Sequence, residues 1–181
     1  MGAKIARIEP RVRNQESESH SGMNAAYLGA NGFHADLTSY VSHGAPSSVT
    51  RQLTKGAVMN GGTGVFQGKF PVTRTVGQYT DADMQHQALL LEEGAAVFAK
   101  PELEIYADDV RCSHGSKTGQ LDEYAVFYLR ARVLDEFGAT ALLLTAFASD
   151  VLNGISNEEL RTSLEAKIQD KLKEMRAGAN C

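Results

Sequence analysis

The sequence is poor in cysteine, in basic clusters and in long apolar runs, and each shortage excludes a class of protein. Its 181 residues contain two cysteines, one of them the terminal Cys181, so it cannot build a disulfide framework. The longest apolar run, Ala139 to Ala148, is far shorter than the roughly 20 residues of a membrane-spanning helix. Lysine and arginine are dispersed and the net charge is −4, whereas a nucleic-acid surface normally carries a basic stripe. We therefore expect a soluble protein in a reducing, cytoplasmic setting.

The composition and the alternation of apolar residues indicate a β-rich globular protein. Hydrophobic residues make up 43% and charged residues 22% of the chain, which leaves room for one domain with a subdomain. Apolar and polar residues alternate over 33–41 and 66–72, which predicts strands with one buried face. The run Asn60-Gly61-Gly62 predicts a turn between strands. Short strands at roughly even spacing are typical of either a β-sandwich or a solenoid of stacked coils, and spacing alone leaves both open.

Two polar stretches, residues 14–21 and 81–86, interrupt this alternation. Neither shows a clear period, so we expect connections there rather than strands. Short strands are predicted after them, at Met23–Leu28 and at Ala88–Leu91, where apolar residues return.

The most informative stretch begins as a strand and ends in a thiol and an imidazole. Apolar residues occupy the odd positions of Val97–Ala107, so we expect one face to be buried and the other to be in water. Asp108-Asp109 predicts a corner, because carboxylates there can accept hydrogen bonds from nearby backbone N–H groups. Beyond the corner, Cys112 and His114 are two residues apart and share a face if the chain is still extended. They are the only such pair of soft metal ligands in the sequence.

The period becomes helical after Leu121. Helices are predicted over Leu121–Arg132 and Thr140–Leu152, the second with Leu143, Phe147 and Val151 on one side. A third helix is predicted after Ser156, which forms a capping-box pattern with Glu159. Its apolar stripe consists of Leu160, Leu164, Ile168, Leu172 and Met175.

These patterns divide the chain into two parts. We predict a β core over residues 1–116 and a helical subdomain of three helices over residues 117–181. The tail Ala177–Cys181 is expected to be frayed.

One continuous string carries a family resemblance. The segment Lys100–Arg132, KPELEIYADDVRCSHGSKTGQLDEYAVFYLRAR, resembles the SufB/SufD core family of iron–sulfur cluster assembly subunits, and most closely its SufD branch. Upstream segments support the resemblance, namely His43-x-x-Pro46, Arg51-Gln52, Lys55-Gly56, Gly64–Lys69 and Gln87–Leu91. Family members usually have Gly-Ala-Thr-Val-Gly after the histidine, where this sequence has Gly115-Ser116-Lys117-Thr118-Gly119. They also carry an N-terminal region that this sequence does not contain.

The resemblance implies an architecture and two partners. It implies a right-handed parallel β-helix followed by a C-terminal helical region, with no enzyme activity of its own. A SufB-type subunit would pair with the β-helix, and a SufC-type ATPase would dock on the helices. For this docking we expect six helical side chains: Leu121, Tyr128, Leu129, Phe147, Leu160 and Leu164. The histidine that matches His114 is implied to contribute, with a SufB cysteine, to an assembly site at the subunit interface, and Cys112 belongs to the same motif.

The ligand chemistry limits what this chain can do alone. An iron–sulfur cluster is held by about four thiolate or imidazole ligands, whereas the chain offers Cys112, His114 and the remote Cys181. A cluster, if one binds, must therefore be shared with a partner, and none is expected to be held stably by the chain alone.

Three other interpretations stay open. Cys112 lies beside Val110 and can be a buried packing residue rather than a ligand. The chain can be a purely structural β-solenoid module that pairs with itself and binds no iron. It can also be a thiol- or metal-dependent enzyme that uses Cys112 and His114, which requires a thiol of depressed pKa.

Overall fold

The computed structural model describes residues 4–74, 77–132 and 134–177, except for the side chains of residues 175–177. Within these residues, nine strands precede three α-helices and one short 3₁₀ helix. The strands are β1 (Ile5–Ile8), β2 (Arg11–Asn14), β3 (His20–Gly29), β4 (His34–His43), β5 (Val49–Val58), β6 (Thr63–Val72), β7 (Asp81–Leu90), β8 (Ala96–Ile105) and β9 (Arg111–Gly119). The helices are α1 (Glu123–Arg130), α2 (Glu136–Ser149), the 3₁₀ turn Asp150–Leu152, and α3 (Glu158–Ala177).

The strands form two parallel sheets that the chain visits in turn. Sheet A has the order β4-β6-β8, with β1 and β2 both paired to β4, and sheet B has the order β3-β5-β7-β9. From β2 to β7, each strand pairs in parallel with the strand two elements further along, as in the register His34–Thr63 followed by Thr63–Ala96. One coil therefore takes about 30 residues, and the coils stack as a solenoid. The predicted parallel β-helix is confirmed, and the sandwich alternative is wrong.

Alternation along each strand places one set of side chains inside the solenoid. In β4 every second residue is buried, including Leu37 and Val41, as the sequence predicts. These two residues pack with Phe66, Phe70 and Met84 from the next coils. The interior is crowded enough that a Cβ atom at Gly68 would collide with the sulfur of Met84. Burial of these large apolar side chains between coils is what holds the stack together.

Two expectations about the strands are wrong. Residues 81–86, expected to be a connection, belong to the ten-residue strand β7. Its inward positions include Ala82, Met84 and His86, so a histidine interrupts the apolar alternation that would have revealed the strand. In β8 neither face is fully buried, and Phe98 is 64% exposed. The reason is that β8 is the last strand of sheet A in the described chain, with no coil beyond it.

The helices differ in detail from their predicted limits and faces. Helix α2 begins earlier than expected, where Asp135 caps it by accepting a hydrogen bond from Gly138 N at 2.7 Å. Its buried face carries Leu144, flanked by Ala139 and Ala148, instead of Leu143 and Phe147. This helix is apolar almost all round, so its sequence does not identify the buried face.

The third helix has a different cap from the predicted one. It begins at Glu158, and Asn157 Oδ1 accepts a hydrogen bond from Leu160 N at 2.9 Å. The capping box on Ser156 is therefore wrong, because Asn157 occupies the cap position and is an equally good capping residue. In the predicted stripe, Leu172 is buried, whereas Leu160 is half-exposed.

The last strand and the first helix have bounds that differ from the predicted ones. Strand β9 runs to Gly119, beyond the predicted limit at residue 116, and α1 is shorter than the predicted first helix. Of the tail Ala177–Cys181, which was expected to be frayed, Ala177 is the last residue of α3, and residues 178–181 lie outside the described residues. None of the described helices is long and apolar enough to cross a membrane.

A buried ion pair joins the helices to the outer face of sheet B. Lys55 of β5 is only 7% exposed, and its Nζ lies 2.6 Å from Asp150 Oδ2 and 4.5 Å from the centroid of the Phe147 ring. Nearby, Asn24 Nδ2 donates a hydrogen bond to the carbonyl oxygen of Val151 at 2.9 Å. The helices therefore have a defined position on the solenoid.

Removal of the Asp150 carboxylate tests this junction. Asp150→Asn leaves the Lys55 ammonium buried beside an uncharged amide, and we expect a loss of about 2 kcal/mol in the free energy of unfolding. Glu104→Gln is the matched control, because Lys69 and Glu104 form a pair of the same 2.6 Å length on the surface. That change should leave the free energy of unfolding almost unchanged, because solvent screens an exposed pair. Urea unfolding measures both, and equal losses would contradict a special role for the Lys55 pair.

Candidate functional site at the open end of the solenoid

The last coil, formed by β8 and β9, leaves one end of the solenoid open. In the described chain, each of these strands pairs with one neighbour only, β8 with β6 and β9 with β7. Their outer edges therefore carry backbone N–H and C=O groups without a strand partner. We call this surface the open end.

Cys112 and His114 both lie on the inward face of this last coil. They pair in register with Ala82 and Met84, which are buried inside the solenoid. In-register neighbours of a parallel ladder point the same way, so Cys112 and His114 share a face, as expected. Cys112 is half-buried, whereas His114 is exposed because nothing in the described chain covers it. The corner before them is also confirmed, with Asp109 at a φ of 51°.

The Cys112 thiol is held in its neutral form. Its side chain packs against the interior cluster that contains Met84 and Ala82. Burial raises the pKa of the Cys112 thiol, the backbone hydrogen bond at Ala82 lowers it, and the negative charge of Asp81 raises it further. A reactive cysteine needs the opposite shift, since the thiolate is the nucleophile. The raised pKa of Cys112 is therefore the opposite of what the thiol-enzyme interpretation requires.

The open end does not form a complete metal site by itself. Across the residues that the structure describes, no three histidine, cysteine, aspartate or glutamate side chains are grouped closely enough to hold a metal ion. Cys112 and His114 can supply two ligands at most. Further ligands for a metal would have to come from outside the residues that the structure describes.

His86, which sequence reasoning placed in a connection, lies buried directly behind the open end. Its Nε2 atom is 2.9 Å from the Tyr27 hydroxyl, and its Nδ1 atom is 3.0 Å from Ser116 Oγ on β9. The imidazole stacks on the Phe66 ring with a centroid distance of 4.7 Å. Burial lowers the pKa of His86 to about 4, so the ring is neutral at neutral pH. The signal that could have found it is its place in the series Ala82, Met84, His86.

His43, the other buried histidine, has a structural role. Its Nε2 is 2.9 Å from Thr50 Oγ1, and its Nδ1 is 3.4 Å from the carbonyl oxygen of Pro71. Asn14 Nδ2 in turn donates to Thr50 Oγ1 at 3.2 Å. Because both ring nitrogens have partners inside the core, His43 is not available as a ligand. Burial lowers its pKa as well.

Comparison with known proteins identifies the family. The family model for the SufBD core domain of the SUF system of FeS cluster assembly matches residues 1–147. The chain belongs to the SufBD core family. It is 36% identical over 137 residues to the iron–sulfur cluster assembly protein SufD of Escherichia coli, an alignment that covers 76% of this chain and 32% of that protein.

Two further relatives extend the similarity. A SufBD family protein of Synechocystis is 35% identical over 164 residues, which cover 91% of this chain and 36% of the relative. Protein ABCI7, chloroplastic, of Arabidopsis thaliana is 34% identical over 161 residues, which cover 88% of this chain and 34% of the relative. This SufBD core chain thus spans about a third of the length of these relatives.

The helices of the SufBD core chain expose an aromatic surface. Among the six predicted docking residues, Tyr128 is 55% and Leu160 50% exposed, whereas Leu121, Leu129, Phe147 and Leu164 are half-buried. Phe147 also lies over Lys55, so it serves the junction with the solenoid. Two exposed residues of α1 were missed in the prediction, Tyr124 at 87% and Phe127 at 71%. They were missed because the helical pattern led us to seek a buried stripe, whereas α1 buries no residue completely.

The neutral buried histidines predict how stability depends on pH. The unfolded chain binds a proton at His86 with a pKa near 6.5, whereas the folded chain binds it only near 4. Stability from this group is therefore full above pH 6.5 and falls as the pH decreases toward 4. At pH 5 we expect a loss of about 2 kcal/mol relative to pH 7. Urea unfolding of the wild type and of His86→Gln tests this, and an equal slope in both would contradict it.

Proposed function

We propose that this chain is a non-catalytic scaffold subunit of iron–sulfur cluster assembly, and that its open end completes an assembly site with a second chain. Membership of the SufBD core family supports the assembly role. The observation that carries the interfacial site is the position of His114, exposed on the inward face of the last strand with Cys112 two residues away. The cluster is cargo in this proposal and not a resident cofactor.

The free edges of β8 and β9 support pairing with another β-helix. Unpaired strand edges bind other strands readily. The partner with the best fit is a SufB-type subunit, whose own last coil would cover the inward side chains and offer further ligands. Such pairing would bury Cys112 and His114 between two solenoids.

The two residues have unequal parts in this proposal. His114 is exposed and carries an imidazole, a ligand that iron accepts. Cys112 is half-buried with a raised pKa, so it becomes a thiolate ligand only if a metal displaces its proton. We therefore assign the main role to His114 and a supporting one to Cys112.

The helical subdomain is proposed to dock a SufC-type ATPase. Tyr124, Phe127 and Tyr128 are exposed and lie within about a turn and a half of α1. Exposed aromatic residues of this kind are common at the centres of interfaces. Leu160 at the start of α3 adds a second apolar position. The other four residues predicted from the sequence would extend this surface, namely Leu121, Leu129, Leu164 and Phe147, the last through its packing on the solenoid.

His114→Ala in the assembled complex tests the site. With SufB-type and SufC-type partners co-purified, we expect cluster formation under anaerobic reconstitution to fall at least about tenfold while the complex stays intact. His20→Ala is the matched control, since His20 is an exposed histidine on β3, at the other end of the stack. Iron and sulfide content per complex is the measurement. An unchanged cluster yield in His114→Ala would exclude the proposed site.

Tyr128→Ala tests the docking surface. Truncation of a central interface aromatic typically costs about 2 kcal/mol, so we expect the affinity for the SufC-type ATPase to fall about thirtyfold. Tyr79→Ala is the control, because Tyr79 is also an exposed tyrosine but lies on the solenoid. Titration calorimetry measures both variants. If the two lose the same affinity, or neither does, α1 is not the docking surface.

A second candidate function is supported by the same free edges. Two copies of this chain can pair edge to edge at the open end and form a structural module without iron. That alternative predicts a homodimer by mass measurement and no iron after anaerobic reconstitution with partners present. The site proposal predicts iron in the complex with a SufB-type chain.

A further inference from the structure

A hydrogen-bonded network of three side chains crosses the core and reaches the open end. Tyr27 on β3, His86 on β7 and Ser116 on β9 are joined by contacts of 2.9 Å and 3.0 Å. His86 and Ser116 are in-register neighbours of the ladder, and Ser116 follows His114 by two residues on the same inward face. The network therefore links β3, the first strand of sheet B, to the strand that presents His114.

Only one assignment of donors and acceptors in this hydrogen-bonded network satisfies every buried group. In the described structure, the Tyr27 hydroxyl has His86 Nε2 as its hydrogen-bond partner and no other. A buried phenol must donate its proton, and burial keeps it protonated by raising its pKa far above the usual value. Tyr27 thus donates to Nε2, which leaves the proton of the neutral ring on Nδ1. Nδ1–H then donates to Ser116 Oγ.

Tyr27 and His86, the first two members of the network, are held rigidly. A Cβ atom at Gly56 or at Gly64 would collide with the Tyr27 ring, so the two glycines form the slot in which this ring lies. The His86 imidazole lies nearly parallel to Phe66, with 6° between the ring planes. Neither ring can turn without a clash or the loss of a buried hydrogen bond. Of the three side chains only Ser116 is exposed, and it lies on the edge strand β9.

We propose that His86 is a positioning residue, which through its bond to Ser116 holds the edge strand β9, and with it His114, in place for partner pairing. Strand β9 has backbone bonds on one side only. Edge strands fray more readily than internal ones. The side-chain bond from the rigid interior adds a second attachment within two residues of His114. The functional part of this inference rests on the proposed role of the open end.

Substitutions at Ser116, the exposed end of the network, test the proposal without disturbing the core. Ser116→Ala removes the acceptor, and Ser116→Thr retains a hydroxyl. Thr118→Ala is the matched control, because Thr118 pairs with buried Ala88 on the same face and, within the described chain, makes no side-chain hydrogen bond. The probes are amide hydrogen exchange of β9 and the imidazole ¹⁵N spectrum of the labelled protein. Affinity for the SufB-type subunit is measured separately.

The expected results are specific to the hydrogen bond. Ser116→Ala should raise amide exchange over residues 113–117 about fivefold, as expected for one lost hydrogen bond. It should also shift the His86 Nδ1 resonance, while Ser116→Thr restores both values and Thr118→Ala changes neither. A fivefold weaker affinity for the SufB-type subunit in Ser116→Ala would link the positioning to pairing.

Two contrary results separate this inference from the proposed function. Unchanged exchange and an unchanged Nδ1 resonance in Ser116→Ala, or equal effects in Thr118→Ala, overturn the positioning role, whatever happens to pairing. If exchange and the resonance respond as expected but the wild-type chain does not bind the SufB-type subunit, the positioning of β9 stands and the proposed function fails.

Discussion

The parallel ladder between coils is the interaction on which the rest of this structure depends. A single coil of about 30 residues has no core of its own, because its inward side chains are covered only when another coil lies above or below them. Register is therefore strict. A slip of one residue would turn Met84 outward and bring Asp83 or Gln85 inward in its place. The same requirement leaves uncovered side chains and unpaired strand edges at both ends of the stack that the described residues form.

The interior built in this way is not wholly apolar. His43 and His86 are fully buried, and each has hydrogen-bond partners at both ring nitrogens. Buried polar groups of this kind stabilise only when every donor and acceptor is satisfied. Their geometry specifies one alignment of neighbouring coils more sharply than hydrophobic contacts do, because a hydrogen bond tolerates less displacement. The solenoid thus combines apolar packing for stability with a few polar contacts for register.

Much of the fold follows from the sequence, for identifiable reasons. The strands around Leu37 and Phe66 are predictable because they alternate cleanly, and the turn at Asn60 because its residues tolerate positive φ. Strand β7 was missed because the polar residue His86 interrupts the apolar alternation of its inward positions. The burial of His86 depends on partners from distant coils. The buried face of α2 was missed because that helix is apolar on all sides. Long-range contacts decide both cases, and a local pattern contains no information about them.

The candidate site shows the same dependence on position in the stack. The tripeptide Ser-His-Gly occurs twice, at residues 42–44 and 113–115. In the first copy, His43 lies between coils and is fully engaged, whereas in the second copy, His114 lies on the last coil and is exposed. Identical local sequence therefore leads to a structural residue in one place and an available imidazole in the other. A solenoid can offer inward-facing ligands only at an end, where its own coils do not cover them, so a site there would be completed by whatever covers that end.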